Sequence, residues 1–346
     1  MSKFLITGGA GFIGSNYLHY VVEKYPDDYF ICLDALTYAG NYDNIKDLEK
    51  YTNYKFVYGD IRNKEELEEL FEREKFDYVI NFAAESHVDN SIKNPNLFAE
   101  TNILGTINLL NSVKKMQDNT GHFINRYHQV STDEVYGDLP LDRPDLLFDE
   151  ETPIHTSSPY SSSKASADLF VLAYARTFNI PVTISRCSNN YGPYQFPEKL
   201  IPVVISKALN NDKIPVYGKG ENIRDWIHVH DHNVGVDMII RNGKNGEIYN
   251  LGGHSEKTNL EVVKTILKQL NKPESLIEFV TDRPGHDLRY AINSSKIENE
   301  LGWKREYDFN NGMKETIDWY INNQKWIERI KNNEYRKSYE LLKGKK

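Results

Sequence analysis

The sequence predicts an α/β protein, a doubly wound parallel sheet of Rossmann type followed by a smaller α/β C-terminal lobe. Short apolar runs alternate with longer amphipathic ones through the first half of the chain, the pattern of strands joined by crossover helices. A glycine-rich turn, TGGAGFIG (7–14), lies between the first apolar run and the helix behind it. The second apolar run ends on an acid, Asp34.

In chain order, KFLIT (3–7), YFICLD (29–34), YKFVYGD (54–60), YVINFAA (78–84) and NRYHQVST (125–132) read as strands, with helices over 14–25, 64–74 and 98–116. Pro159 is a favoured first helical residue and opens a helix through YSSSKASADLFVLAYARTF (160–178). The strand VTISRCS (182–188) follows. Beyond Asn190 come loops rich in Pro, Gly and Tyr (191–197, 215–225, 282–290), mixed with LIPVVISKALNN (200–211) and the helical LEVVKTILKQL (260–270). The expected division is therefore 1–190 for a cofactor-binding domain carrying the catalytic residues and 191–330 for a substrate lobe with some chain crossing back. A basic tail occupies 331–346 and ends in KGKK.

The net charge of -8 leaves no basic surplus for nucleic-acid binding. Two cysteines, Cys32 and Cys187, lie in apolar strand-like runs and read as buried thiols of a reducing compartment. The apolar start FLI (4–6) is too short for a signal peptide and no run approaches a membrane span, so a cytoplasmic protein without membrane contact is expected. His228, His230 and His232 alternate in WIHVHDHN (226–233) and read as one polar strand face; no metal site is expected.

Gly8, Gly11 and Gly14 suit a tight turn that brings backbone N–H groups and a helix N-terminus to a pyrophosphate. Asp34 can accept hydrogen bonds from an adenosine ribose. Its charge would repel an extra phosphate and no Arg follows it in ALTYAGN (35–41), so the implied cofactor is NAD. Asp60 and Ile61 are placed to meet the adenine, and NFAAES (81–86) has small residues where chain and cofactor pass closely. Tyr160 and Lys164 stand four apart on one helix face. Lowering a phenol from its usual pKa of about 10 by about three units takes roughly 4 kcal/mol. With a nearby ammonium and a cationic nicotinamide as the source, Tyr160 could take a proton from an alcohol.

TGGAGFIG (7–14), NFAAES (81–86), STDEVYG (131–137) and YSSSK (160–164) together resemble the extended short-chain dehydrogenases/reductases that act on nucleotide sugars. The resemblance implies a catalytic Thr132, Tyr160 and Lys164, a tightly held NAD and a homodimer built on helices 98–116 and 160–178. It implies cofactor contacts from Gly8, Gly11, Phe12, Ile13, Gly14, Asp34, Thr37, Asp60, Ile61, Phe82, Ala83, Ala84, Ser86, Thr101, Tyr160, Lys164 and Asn190. AAESHVDNSI (83–92), STDEVYGDL (131–139), SNNYGPYQFPEKLIP (188–202), PVYGKGENIRDW (215–226) and DRPGHDLRY (282–290) narrow it to the family's 4,6-dehydratases, with dTDP-glucose the implied substrate. His87, Thr132, Asn189, Lys199, Leu200, Pro215, Tyr217, Arg224, Asn259, Arg283 and His286 are the implied substrate contacts, Arg224 and Arg283 on the diphosphate.

The acid pair Asp133–Glu134 fits such an elimination, which needs one carboxylate as a base at C5 and one carboxylic acid to protonate the departing C6 hydroxyl. By resemblance Glu134 is the base and Asp133 the acid. Adjacent strand residues point to opposite faces, so both enter one pocket only if the strand ends near Ser131 and bends. A 4-epimerase would use Tyr160 and Lys164 but leave the acid pair idle; a non-catalytic NAD sensor would be expected to lack the Tyr or Lys.

Overall fold

The computed structural model describes residues 1–282 and 287–336. Its strands are β1 (Lys3–Thr7), β2 (Tyr29–Asp34), β3 (Tyr54–Tyr58), β4 (Tyr78–Asn81), β5 (Arg126–Thr132), β6 (Val182–Cys187), β7 (Asn189–Tyr191), β8 (Ile214–Tyr217), β9 (Ile223–His228), β10 (Glu247–Leu251), β11 (Glu256–Thr258) and β12 (Ile277–Val280). Seven of them form one sheet in the order β10-β6-β5-β4-β1-β2-β3, with every neighbouring pair parallel. The order reverses between β1 and β4, and the crevice beyond the strand ends at such a point is where open α/β sheets take ligands.

Burial on both faces explains the apolar strands. In β1, Phe4 and Ile6 enter one core with Tyr17, Val21, Val236 and Trp303, while Leu5 enters the opposite core with Phe71, Leu109 and Val113. A third cluster, including Ile201, Trp226, Val263 and Met313, holds the smaller lobe. There β11, β9 and β7 form one small sheet and β12 pairs with β8. The seventh strand, β10, comes from chain beyond Asn190 and returns to pair with β6. Its residues EIYNL are bounded by Asn245-Gly246 and Gly252-Gly253, which are turn signals, yet they were not among the strands read from sequence.

Two elements differ from the sequence reading. The helix expected over 98–116 is Pro95–Phe98, then a π turn over Ala99–Leu104, then Gly105–Thr120. Inside that π turn Asn102 is pulled toward the β4 loop. Its Oδ1 accepts the Glu85 N–H at 2.8 Å, and its Nδ2 donates to Glu85 O at 3.0 Å and to Ser163 Oγ at 2.8 Å. The three histidines do not share a strand face, because β9 stops at His228 and Val229–Asn242 is helical. His228 stacks on Tyr307 with ring centroids 4.0 Å apart, His230 faces Glu306 at 3.5 Å, and His232 is buried. Both cysteines are buried and free. Among the described residues no helix is long and apolar enough to cross a membrane, and no cluster of His, Cys, Asp or Glu could hold a metal ion.

Candidate active site

The carboxyl ends of the sheet strands open into a cavity of about 330 Å³. At one end the glycine-rich turn is a cradle that side chains would fill. Gly8 has φ +69°, and a Cβ there would lie 2.6 Å from the Ala83 nitrogen; one on Gly14 would run into the Gly8 carbonyl. Gly11 begins the helix Phe12–Lys24 without a side-chain cap, which suits an anion at the helix start. Asp34 Oδ2 accepts the Ala10 N–H at 2.9 Å and Oδ1 the Leu36 N–H at 2.7 Å. Burial lifts its carboxyl to about 6, against those two hydrogen bonds. These features fit a dinucleotide. Every residue expected from the sequence to touch the cofactor, from Gly8 through Thr101 to Asn190, lines this cavity.

At the other end β5 stops at Thr132 and a 3₁₀ turn runs over Asp133–Tyr136. Thr132 Oγ1 caps it by accepting the Glu134 N–H at 3.3 Å. The turn breaks the strand alternation, and Thr132, Asp133 and Glu134 all reach the cavity wall. Asp133 is buried, with Oδ1 accepting from Thr132 Oγ1 at 3.4 Å and Oδ2 lacking a hydrogen-bond partner. Burial first, then the charges of Glu134 and Asp225, push its carboxyl well above the usual range, with Arg224 acting against them.

Facing this turn is the helix Pro159–Phe178, started by Pro159 and a reciprocal Ser158–Ser161 capping box. It carries Tyr160 and Lys164 into the same wall. Lys164 Nζ donates to Val130 O at 2.7 Å. For Tyr160 the sequence expectation is a phenol lowered by Lys164 together with a bound nicotinamide. In the protein itself burial raises the phenol well above its usual range and Glu134 raises it further; the Thr132 hydrogen bond opposes them. Burial is the largest cause, and the charges of Glu134, Cys187 and Asp133 add to it.

On the substrate side, Asn189 and Lys199 line the cavity, and Lys199 Nζ reaches Ser86 O at 3.4 Å. His87 stands 3.9 Å from Glu198. Leu200, Pro215, Tyr217, Arg224 and Asn259 lie outside the cavity lining. Pro215 and Tyr217 lie on β8, and Leu200 and Asn259 open the helices Leu200–Asn210 and Asn259–Gln269. Arg224 is buried over the Tyr290 ring, donating to Ile223 O at 2.7 Å and to Asp287 O at 3.0 Å. Both of those hydrogen bonds go to backbone carbonyls. Arg283 and His286 lie outside the described residues.

Sequence reasoning passed over several wall residues. Tyr38 follows Thr37 in ALTYAGN and Glu198 precedes Lys199, and their hydroxyl and carboxylate meet at 3.2 Å across the two lobes. Arg62, two residues beyond Asp60, clamps that carboxylate with Nη2 at 2.6 Å of Oδ2 and Nε at 3.1 Å of Oδ1. Arg62 brings a cation to the cavity from the loop after β3, whereas the loop ALTYAGN after Asp34 holds none.

The family model described as GDP-mannose 4,6 dehydratase matches residues 5–316. The dTDP-glucose 4,6-dehydratase of Salmonella typhimurium is 46% identical over 353 residues, covering 96% of each chain. A crystal structure of the dTDP-glucose 4,6-dehydratase from Bacillus anthracis in complex with NAD superposes with TM-score 0.87 at 48% identity, covering 95% of this chain and 100% of that one. DesIV, a dTDP-glucose 4,6-dehydratase from Streptomyces venezuelae with NAD bound, gives TM-score 0.88 at 42% identity, over 94% of this chain and 98% of that one. The acid turn opposite Tyr160 and Lys164 thus sits in a chain that matches these proteins nearly from end to end, and the chain belongs to the GDP-mannose 4,6-dehydratase family.

Proposed function

We propose that this protein is a dTDP-glucose 4,6-dehydratase, an NAD-dependent hydro-lyase that converts dTDP-glucose to dTDP-4-keto-6-deoxyglucose and water. The observation that carries the reading is Asp133: a buried carboxyl driven toward its neutral form, next to Glu134, in the wall that also holds Tyr160 and Lys164. The full-length similarity to dTDP-glucose 4,6-dehydratases selects the sugar nucleotide.

Gly8, Gly11 and Gly14 would hold the cofactor's pyrophosphate, Asp34 the adenosine ribose, and Asp60 with Ile61 the adenine. Bound NAD supplies a hydride acceptor for C4 of the hexose and, once reduced, a hydride donor for C6. With a cationic nicotinamide bound to lower its phenol, Tyr160 would take the proton of the C4 hydroxyl while Thr132 holds that oxygen. With C4 a ketone, the C5 proton is acidic, and Glu134 removes it. Asp133 gives its proton to the C6 hydroxyl, which leaves as water as the C5–C6 double bond forms. After C6 is reduced, Glu134 returns a proton to C5, and the cycle closes as Tyr160 gives up the proton it took and Asp133 takes one back. The cofactor ends in its starting state, so it stays bound between turnovers.

A homodimer is part of this reading: Leu104, at the end of the π turn, and Leu169 and Phe170, on the helix Pro159–Phe178, are exposed apolar side chains that a second copy would cover. Two free buried thiols fit a reducing compartment, and we place the reaction in the cytoplasm. The test is to supply purified protein with dTDP-glucose, UDP-glucose and GDP-mannose and to follow the alkaline ultraviolet absorbance of a 4-keto product. A 4-keto-6-deoxy product from dTDP-glucose alone is the expected result. Formation of dTDP-galactose without it would make the protein an epimerase.

A further inference from the structure

Tyr160, Lys164 and Asp168 recur every fourth residue and form one face of the helix Pro159–Phe178. The catalytic reading uses the first two. Asp168 is fully buried and crosslinks three elements. Its Oδ2 accepts from Ser131 Oγ on β5 at 3.0 Å and from Arg186 Nε on β6 at 3.0 Å. Ser131 immediately precedes Thr132–Asp133–Glu134, and Arg186 immediately precedes Cys187 and the Ser188–Asn190 wall of the cavity. Arg186 is itself held over the Tyr136 ring at 4.8 Å, at the far end of the acid turn.

Resting on the dehydratase reading, we propose that Asp168 is a positioning residue: it sets the Tyr160–Lys164 helix against the acid turn and supplies the negative charge that keeps the buried Lys164 ammonium charged. A buried ion pair is weak support for stability alone, because two charges must be desolvated to make it, whereas a fixed register between two catalytic elements is a use that accounts for it. Burial drives Lys164 toward its neutral form, and the Asp168 charge is the leading opposing influence, followed by Cys187. Burial also lifts Asp168, but the Arg186 and Lys164 charges and the Ser131 hydroxyl pull it back. Other groups on this part of the wall are Tyr160 on the same helix, Asp133 and Glu134 on the turn, and Cys187 on β6, with Arg186 of β6 buried behind the wall against Asp168. Toward the Ala99–Leu104 turn the helix presents the neutral pair Ser163–Asn102.

Asp168→Asn keeps the shape and removes the charge; Ser131→Ala keeps the charge and removes the strut. The parental holoenzyme is assayed first, since absence of a 4-keto product there defeats the functional reading and leaves no reaction to position. With the parent active, Asp168→Asn should move the alkaline limb of kcat to lower pH by about one unit, as Lys164 loses its proton more easily, with KM for the sugar nucleotide within twofold. Ser131→Ala should lower kcat about tenfold with the limb unmoved, since a small misplacement of the acid turn is costly. A folded Asp168→Asn enzyme with the parental limb overturns the proposal. So does Ser131→Ala with the parental kcat, which decides the matter alone if Asp168→Asn does not fold.

Discussion

Asp34 Oδ2 accepts the backbone N–H of Ala10 at 2.9 Å, which ties the end of β2 to the glycine-rich turn. That contact links cofactor affinity to pH. In the folded protein the carboxyl titrates at about 6, against 3.8 for a free aspartate, because burial outweighs the hydrogen bonds from Ala10 and Leu36. The raised value means that the folded state holds this proton more tightly than the unfolded one. The stability it contributes is present below about pH 4 and is lost as pH rises through 6, a cost of about 3 kcal/mol at neutral pH before a ligand is bound. A ribose diol donates to the ionised form. NAD should therefore bind the apoprotein about tenfold more weakly at pH 5 than at pH 7, and Asp34→Asn should flatten that dependence, as read by fluorescence titration.

The acid turn predicts a separation of half-reactions. Glu134→Gln should lower dehydration by about 10²-fold or more, while oxidation at C4 survives as a single-turnover rise at 340 nm on adding substrate. If steady-state dehydration stays within threefold of the parent, Glu134 is not the C5 base. Asp133→Asn should also slow elimination. Because Asp133 must stay protonated and its carboxyl is raised, activity that depends on it should fall as pH rises, not as pH falls.

Tyr160→Phe removes the phenolic oxygen and leaves the packing of the ring. We expect at least about 10²-fold loss at the first step, visible as no rise at 340 nm in a single turnover, with the cofactor still bound. Retained C4 oxidation in that variant would assign the proton to another group.

Gly14→Ala tests the cradle. The added methyl meets the Gly8 carbonyl and lies 2.8 Å from the Gly9 Cα, both backbone groups that cannot swing aside. Cofactor should be lost on gel filtration, with retained far-ultraviolet circular dichroism showing that the sheet survives.

Periodicity and turn chemistry made much of this legible. The apolar runs that became β1, β2, β4, β5 and β6 are buried on both faces, so each stands out against its polar flanks, whereas β3 at the sheet edge is only partly covered. The acid turn was legible for a different reason: alternation forbids Asp133 and Glu134 from sharing a face, which required the strand to end near where β5 ends. What failed to show were tertiary effects. The Asn102 π turn depends on a loop 17 residues away in sequence, and the place of β10 depends on an open sheet edge at β6. The raised phenol of Tyr160 was invisible for the same reason, since the burial that raises it most and the Glu134 charge that adds to it both come from other elements.

The C-terminal segment gives a last prediction, on cofactor retention. Trp326 and Arg329 on the helix Gln324–Lys331, together with Tyr335 beyond it, reach back across the molecule to the loop after β2. Trp326 Nε1 donates to Asn44 Oδ1 at 2.8 Å, Arg329 Nε to Asp43 Oδ2 at 2.6 Å, and the Tyr335 hydroxyl to Tyr38 O at 2.8 Å. The same loop closes on the glycine-rich turn, where Ala10 O accepts from the Asn41 N–H at 3.0 Å and from Asn44 Nδ2 at 2.9 Å. The loop that walls the adenosine end of the cavity is thus braced from outside by chain nearly 300 residues away. Trp326→Phe leaves Asn44 Oδ1 without its buried donor, at a cost of about 1–3 kcal/mol, part of which falls on the loop rather than the whole fold. NAD should leave that variant about tenfold faster than the parent in a stopped-flow displacement experiment, and excess NAD should restore its dehydration rate. An unchanged release rate with a lowered melting temperature would confine the strap to global stability.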